Sequence, residues 1–125
     1  MEDKRKIVVI DDSKVQLRAL SELMKGKYEV VTAETGRGGI DILKQDGADL
    51  VLLDYSMPGL DGKETLKLLQ GDERTKHIPV IFITGDNDKE DIMEALKLHP
   101  QGYLLKPVKP ERLFQAIEKV LGSEE

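Results

Sequence analysis

The chain has 125 residues, 39% hydrophobic and 34% charged, with no cysteine and a formal net charge of −5. That length supports one ordinary core, and the lack of cysteine excludes a disulfide framework, a thiolate metal site and a thiol nucleophile. The acid excess with scattered lysines argues against direct nucleic-acid binding, and with no run long enough to span a bilayer and no signal-peptide core the expected location is the cytoplasm, off the membrane.

Taken in chain order, the first strand is expected at Lys6–Ile10 and is followed at once by Asp11-Asp12. Ser13 is a good N-cap for the first helix, which carries Leu17, Leu20 and Met24 at helical spacing before Gly26. A second strand is expected at 28–33, and a second helix runs from Gly38 to Asp46 and stops near Gly47. The third strand, Leu50–Leu53, delivers Asp54. After the Pro58-Gly59 turn signal a third helix starts near Asp61-Gly62 and carries Leu66 and Leu69. The strand at 80–83 precedes Thr84, and the acidic stretch 86–91 opens a fourth helix with Ile92, Ala95, Leu96 and His99 on one stripe. The last strand, Gly102–Leu105, ends at Lys106, and Pro110 opens a final helix with Leu113, Ile117, Val120 and Leu121 as its apolar face. The tail Ser123-Glu124-Glu125 is short and polar.

Most strand candidates are continuous Val/Ile/Leu runs, the pattern of a parallel sheet buried on both faces. Five βα units with short connections and right-handed crossovers predict an α/β fold: one doubly wound, five-stranded parallel sheet between two helical layers. There is no repeat, low-complexity stretch or linker, so residues 1–125 are expected to form a single domain with its core at 5–121.

The chemistry-bearing residues all follow strands. In an open parallel sheet such positions converge on one edge, where ligands bind. Asp11, Asp12, Asp54, Thr84 and Lys106 therefore fall together. Two unit charges about 4 Å apart interact by roughly 4 kcal/mol at an effective dielectric near 20. Three carboxylates are thus unstable as three anions, unless some hold protons or a hard cation joins them. Mg²⁺ suits such oxygen donors, with Mn²⁺ as the alternative. Asp12 could instead help Ser13 cap the first helix, but the matching groups at other strand ends weigh against that. Asp54 stands too early to cap the helix near Asp61. It reads as a nucleophile toward phosphorus, giving an aspartyl phosphate, with Lys106 pairing the phosphoryl oxygens and Thr84 donating a hydroxyl hydrogen bond. An X–Pro bond is where a cis peptide occurs, and a cis Lys106–Pro107 bond would aim the lysine into the site.

These residues carry a resemblance. Val8-Val9-Ile10-Asp11-Asp12-Ser13, Asp54-Tyr55-Ser56-Met57-Pro58-Gly59-Leu60-Asp61-Gly62, Thr84-Gly85 and Tyr103-Leu104-Leu105-Lys106-Pro107 together resemble the receiver domain of two-component response regulators, over essentially 5–121. In size the chain is similar to the family's single-domain chemotaxis type. The resemblance implies a flavodoxin-like strand order 2-1-3-4-5. It implies Asp54 as phosphoacceptor, with Mg²⁺ held by Asp12, Asp54, the backbone carbonyl of Ser56 and, partly through water, Asp11. Thr84 and Tyr103 would form the switch, and Ser56 and Asp86 would tune how long the acyl phosphate survives. A histidine kinase or phosphotransfer protein would supply the phosphoryl group. An unidentified downstream protein would read the face made by the fourth helix, fifth strand and fifth helix. The resemblance also implies no enzyme beyond assistance of its own phosphorylation and dephosphorylation, and a monomer when unphosphorylated.

One segment departs from the family pattern. His99-Pro100-Gln101-Gly102 stands where a Gly-Ala pair is usual, so a stiffer loop is expected. Neither His77 nor His99 reads as a relay residue. The stretch 86–91 lacks the spacing of a calcium loop, and Gly36-Arg37-Gly38-Gly39 has no lysine for a phosphate loop. Three rivals differ in class. A haloacid-dehalogenase-type phosphatase wants an aspartate where Ser56 stands, an FMN carrier would set its phosphate against Asp11-Asp12, and a docking module that needs no phosphorylation leaves the acid, hydroxyl and lysine set unused.

Overall fold

The computed structural model describes residues 4–122, and the polar tail expected at 123–125 lies outside them. Five strands, β1 (Lys6–Ile10), β2 (Glu29–Ala33), β3 (Leu50–Leu53), β4 (Val80–Thr84) and β5 (Gly102–Leu105), alternate with five helices. The helices are α1 (Lys14–Met24), α2 (Gly36–Asp46), α3 (Gly62–Gln70), α4 (Lys89–Leu96) and α5 (Pro110–Leu121). All strand pairs are parallel, in the order β2-β1-β3-β4-β5.

Strand alternation explains why the runs are continuously apolar. Val8, Ile10, Val51, Leu53, Val80 and Phe82 point to one face, against Ile40 and Leu43 of α2, Leu66 and Leu69 of α3 and Ala95 of α4. Their neighbours Ile7, Val9, Leu50, Leu52, Ile81 and Ile83 point to the other, against Leu17, Leu20 and Met24 of α1 and Leu113 and Ile117 of α5. Each of these residues of β1, β3 and β4 thus has an apolar partner on its own side, so a strict polar alternation there would have left charges inside both layers.

The helix starts follow local capping chemistry. Ser13 accepts from the Gln16 amide at 3.2 Å at the head of α1. Asp61 and Glu64 close a capping box at the head of α3. Helix α2 begins two residues before the expected Gly38, because the Thr35 hydroxyl accepts from the Gly38 amide at 2.9 Å and caps it earlier.

The stripe expected on the fourth helix needs correction. Of Ile92, Ala95, Leu96 and His99, only Ala95 is fully buried; Leu96 is 49% exposed. The helix stops at Leu96, and His99 lies beyond it in the left-handed region at φ 60°. The loop is held from two sides. The Gln70 side chain donates to the Leu98 carbonyl at 2.7 Å, and Gln101 both donates to and accepts from the Val80 backbone.

Register places the ends of the central strands level: Ile10 pairs with Leu53, Leu53 with Phe82, and Thr84 with Leu105. Backbone hydrogen bonds continue past those ends. The Asp11 amide donates to Ala33 O at 3.1 Å, Asp54 to Ile10 O at 2.9 Å and Lys106 to Thr84 O at 2.9 Å. The residues just beyond the strands are therefore held almost as rigidly as the sheet itself.

Candidate functional site

Asp11, Asp12 and Asp54 converge at that edge: each offers a carboxylate oxygen, all within 4.8 Å of one another. Asp11 and Asp54 are buried and Asp12 is exposed. One side of the cluster is thus fixed by the fold and the other opens to solvent. Such hard oxygen donors, with an open side for water or phosphate oxygens, fit a small divalent cation such as Mg²⁺.

Lys106 reaches the cluster from the end of β5. Its ammonium lies 2.8 Å from Asp11 Oδ2 and 3.6 Å from Asp54 Oδ2. The peptide bond from Lys106 to Pro107 is cis. Asp11 is held by a second contact as well, accepting from the Ser13 amide at 2.9 Å. Asp54 Oδ1 accepts from the Ser56 amide at 3.4 Å. Thr84 is buried beneath the same carboxylate, and its hydroxyl also accepts from the Asp86 amide at 3.2 Å.

The electrostatics of Asp54 follow from this packing. Burial raises its pKa, the Thr84 hydroxyl opposes that, the Asp11 charge raises it further, and Lys106 and the Ser56 amide pull it back. The balance lies above the ordinary value. A folded-state pKa above the unfolded 3.8 means that the native protein binds the extra proton, so stability falls as pH rises from about 3.8 through the raised value. Asp54→Asn, which cannot ionise, is expected to gain thermal stability relative to wild type at pH 7 but not at pH 3.5. Paired melting curves at the two values check this, and a difference independent of pH would overturn it.

From Thr84 the contacts lead outward to Tyr103. The Tyr103 hydroxyl donates to the Asp86 carbonyl at 2.8 Å, two residues along the chain from Thr84. Its half-buried ring lies 5.9 Å from Phe82 and 6.3 Å from Tyr55. Burial first, and then the Asp86 charge, push the Tyr103 phenol up to about 12, so it stays a hydrogen-bond donor at neutral pH. The side chains of Ser56 and Asp86, from two different loops, approach to 3.5 Å across the mouth of the site.

His77 and His99 lie away from this edge, both in the wall of a cleft between the end of α3 and the start of β4. Reading the sequence missed Tyr55, Phe82 and Gly62. Tyr55 and Phe82 complete an aromatic triad with Tyr103, their rings 5.4 Å apart and nearly perpendicular. Gly62 packs so closely that a Cβ on it would stand 2.3 Å from the Asp54 carbonyl oxygen. The Asp61-Gly62 pair had read as a helix start and as the end of the motif that begins at Asp54, with no role given to the glycine itself. The signal for the glycine lay in its fixed distance from Asp54, which has meaning only once the loop is seen to fold back.

Comparison with known proteins gives a consistent picture. The family model of the response regulator receiver domain matches residues 7–118. The chemotaxis protein CheY-3 of Vibrio cholerae is 32% identical over 117 residues, covering 92% of this chain and 90% of that protein. Protein PilH of Pseudomonas aeruginosa is 34% identical over 118 residues, covering 94% of this chain and 98% of its own. Among solved structures, the chemotaxis protein CheY4 of Vibrio cholerae superposes with a TM-score of 0.87 at 28% identity, over 94% of this chain and 99% of that one.

Proposed function

The chain belongs to the response regulator receiver domain family, and on that premise we propose that Asp54 is the residue that takes up the phosphoryl group. The observation that carries this reading is the convergence of the Asp11, Asp12 and Asp54 oxygens beside the Lys106 ammonium. A carboxylate oxygen of Asp54 attacks phosphorus, the P–N bond of a partner's phosphohistidine breaks, and the imidazole leaves with the bonding pair and takes up a proton. Asp11, Asp12, Asp54 and the Ser56 carbonyl would hold Mg²⁺. Bound there, the ion supplies positive charge for phosphoryl oxygens.

The protein's own groups perform the rest. The Ser56 amide orients the Asp54 carboxylate. Lys106 is poised between Asp11 and Asp54, and pairs with the charge that the phosphoryl group brings. Thr84 turns its hydroxyl to a phosphoryl oxygen. The same residue accepts from the Asp86 amide, so its shift reaches Tyr103 through the Asp86 carbonyl. Tyr103 and the surface of α4, β5 and α5 then differ between the two forms, and a downstream protein that binds one better reads the difference. Ser56 and Asp86 guard the approach of water and set the lifetime.

Two tests follow. Incubation with Mg²⁺ and a small phosphodonor is expected to add one phosphoryl group by intact mass, and reduction of the acyl phosphate with borohydride to mark position 54. A wild-type protein that gains no mass, or a mark elsewhere, would reject the assignment. Lys106→Met is expected to slow uptake about a hundredfold, the usual loss for one donor to developing charge, while Mg²⁺ affinity stays within a few fold. Uptake as fast as wild type would remove Lys106 from the chemistry.

A further inference from the structure

Phe82 and Tyr103 are direct neighbours across the β4–β5 pair, so their side chains stand on the same face of the sheet. Leu53 pairs with Phe82 on the other side, and Tyr55, two residues further along, returns to that face. The three rings meet there. Tyr55 lies 5.4 Å from Phe82 at 78°, and Tyr103 lies 5.9 Å from Phe82 at 54° and 6.3 Å from Tyr55 at 56°. All three separations fall in the range of about 4.5–7 Å in which tilted and edge-on rings attract one another.

The partners of Tyr103 differ in mobility from Tyr103 itself. Phe82 is fully buried in the close-packed core and cannot follow a moving neighbour. Tyr103 is half-buried, and on its outer side it walls a groove of about 500 Å³ lined also by Leu105, Val108 and Arg112. That space is large enough for a phenol ring. Rotation about the Cα–Cβ bond therefore offers the side chain two places, inward on Phe82 or outward over the end of β5.

Contacts decide between them. Inward, the ring pairs with two others and the hydroxyl donates to the Asp86 carbonyl at 2.8 Å. Outward, it would lie on Leu105, which is 44% exposed, with water around it. The ring pairs and the hydrogen bond that hold it inward come from Phe82, Tyr55 and the Asp86 backbone, not from Asp54, Thr84 or Lys106.

We propose that Phe82 is a positioning residue that holds Tyr103 inward whether or not Asp54 carries a phosphoryl group. The difference between the two forms is then a displacement of the Asp86 carbonyl and the head of α4 that the ring follows, not a swing of the ring. This rests on the roles given above to Thr84 and Tyr103, and it can fail while Asp54 remains the acceptor.

The test is NMR of the full chain with labelled phenylalanine and tyrosine, first alone and then with Mg²⁺ and beryllium fluoride, a stand-in for a phosphoryl group on a carboxylate. In wild type, contacts between the Tyr103 and Phe82 rings are expected in both spectra, while the Asp86 amide shifts between them. In Phe82→Leu the inward-to-outward ratio should fall about threefold to tenfold, read as Tyr103 contacts to Tyr55 against those to Leu105 and Val108. Tyr55→Leu should move the ratio the same way, and it serves if Phe82→Leu does not fold. Ile83→Val, a core change on the opposite face of the same strand, should lower the melting temperature and leave the ring in place. Wild-type ring contacts that appear only with beryllium fluoride would overturn the proposal. So would a ring that stays inward in both ring-deleting variants, or one that Ile83→Val displaces as much as they do. Failure of the Asp54 reading shows separately, as a wild-type Asp86 amide that beryllium fluoride does not shift.

Discussion

Asp54→Asn is expected to abolish phosphoryl uptake from a small phosphodonor, a fall of about a thousandfold or more that reaches background. A carboxamide nitrogen or oxygen does not displace a leaving group from phosphorus at neutral pH, so this substitution removes the nucleophile and little else. The amide oxygen can still accept from the Ser56 amide, as Asp54 Oδ1 does at 3.4 Å. Lys106 keeps its shorter contact with Asp11 at 2.8 Å. The fold therefore persists, and with one buried anion fewer. Intact mass before and after exposure to phosphodonor and Mg²⁺ measures the effect. Uptake at the wild-type level would mean that another residue is the acceptor. Mg²⁺ affinity should also drop, because the cluster loses one of three charges, and a melting curve with and without Mg²⁺ reads this directly. A ligand at a hundred times its dissociation constant stabilises the native state by about 2.7 kcal/mol, and that increment should shrink in the variant.

The second large effect is expected at Gly62, a residue with no functional group. Gly62→Ala should lower stability by about 3 kcal/mol and disable phosphoryl uptake together. A Cβ there would stand 2.3 Å from the Asp54 carbonyl oxygen and 2.6 Å from the Tyr55 Cα, both backbone atoms. No side chain can rotate away to relieve such a contact, so α3 or the loop after β3 has to move. The Gly62 amide donates to the Tyr55 carbonyl at 2.8 Å, and this bond folds the loop back onto the strand end. Gly59 provides the control. It needs a positive φ of 73°, but a Cβ there meets nothing within 4 Å. Gly59→Ala should cost only about 1–2 kcal/mol, from the backbone conformation alone, and leave uptake near wild type. Chemical denaturation and intact mass on the two variants separate these outcomes. Equal losses at both positions would show that loop flexibility, and not the close approach at Gly62, is what matters.

The element pattern and the main site residues were legible in the chain itself. Continuous apolar runs, their caps and the proline before the last helix depend on neighbours one to four residues away, and those interactions are the same in any context. The grouping of Asp11, Asp54, Thr84 and Lys106 followed from one topological rule about strand ends. The fourth helix was misread because its stripe assumed a helix that runs on to His99 against a full core, whereas α4 ends at Leu96 after about two turns. Sheet edge and helix length decided otherwise: α4 covers the margin of the sheet, buries Ala95, and leaves Met93 and Leu96 to solvent.

Determined by the sequence alone, then, were the doubly wound architecture and the set of reactive groups at one edge, because strand period and capping are local. Only the tertiary structure decided which groups touch. The pairing of Lys106 with Asp11 spans 95 positions in the chain. The triad of Tyr55, Phe82 and Tyr103 and the close approach of Gly62 to Asp54 likewise join separate elements. Their separations are set by sheet twist, register and loop path, to within less than the width of an atom. No pattern of residue types along a chain encodes distance at that scale.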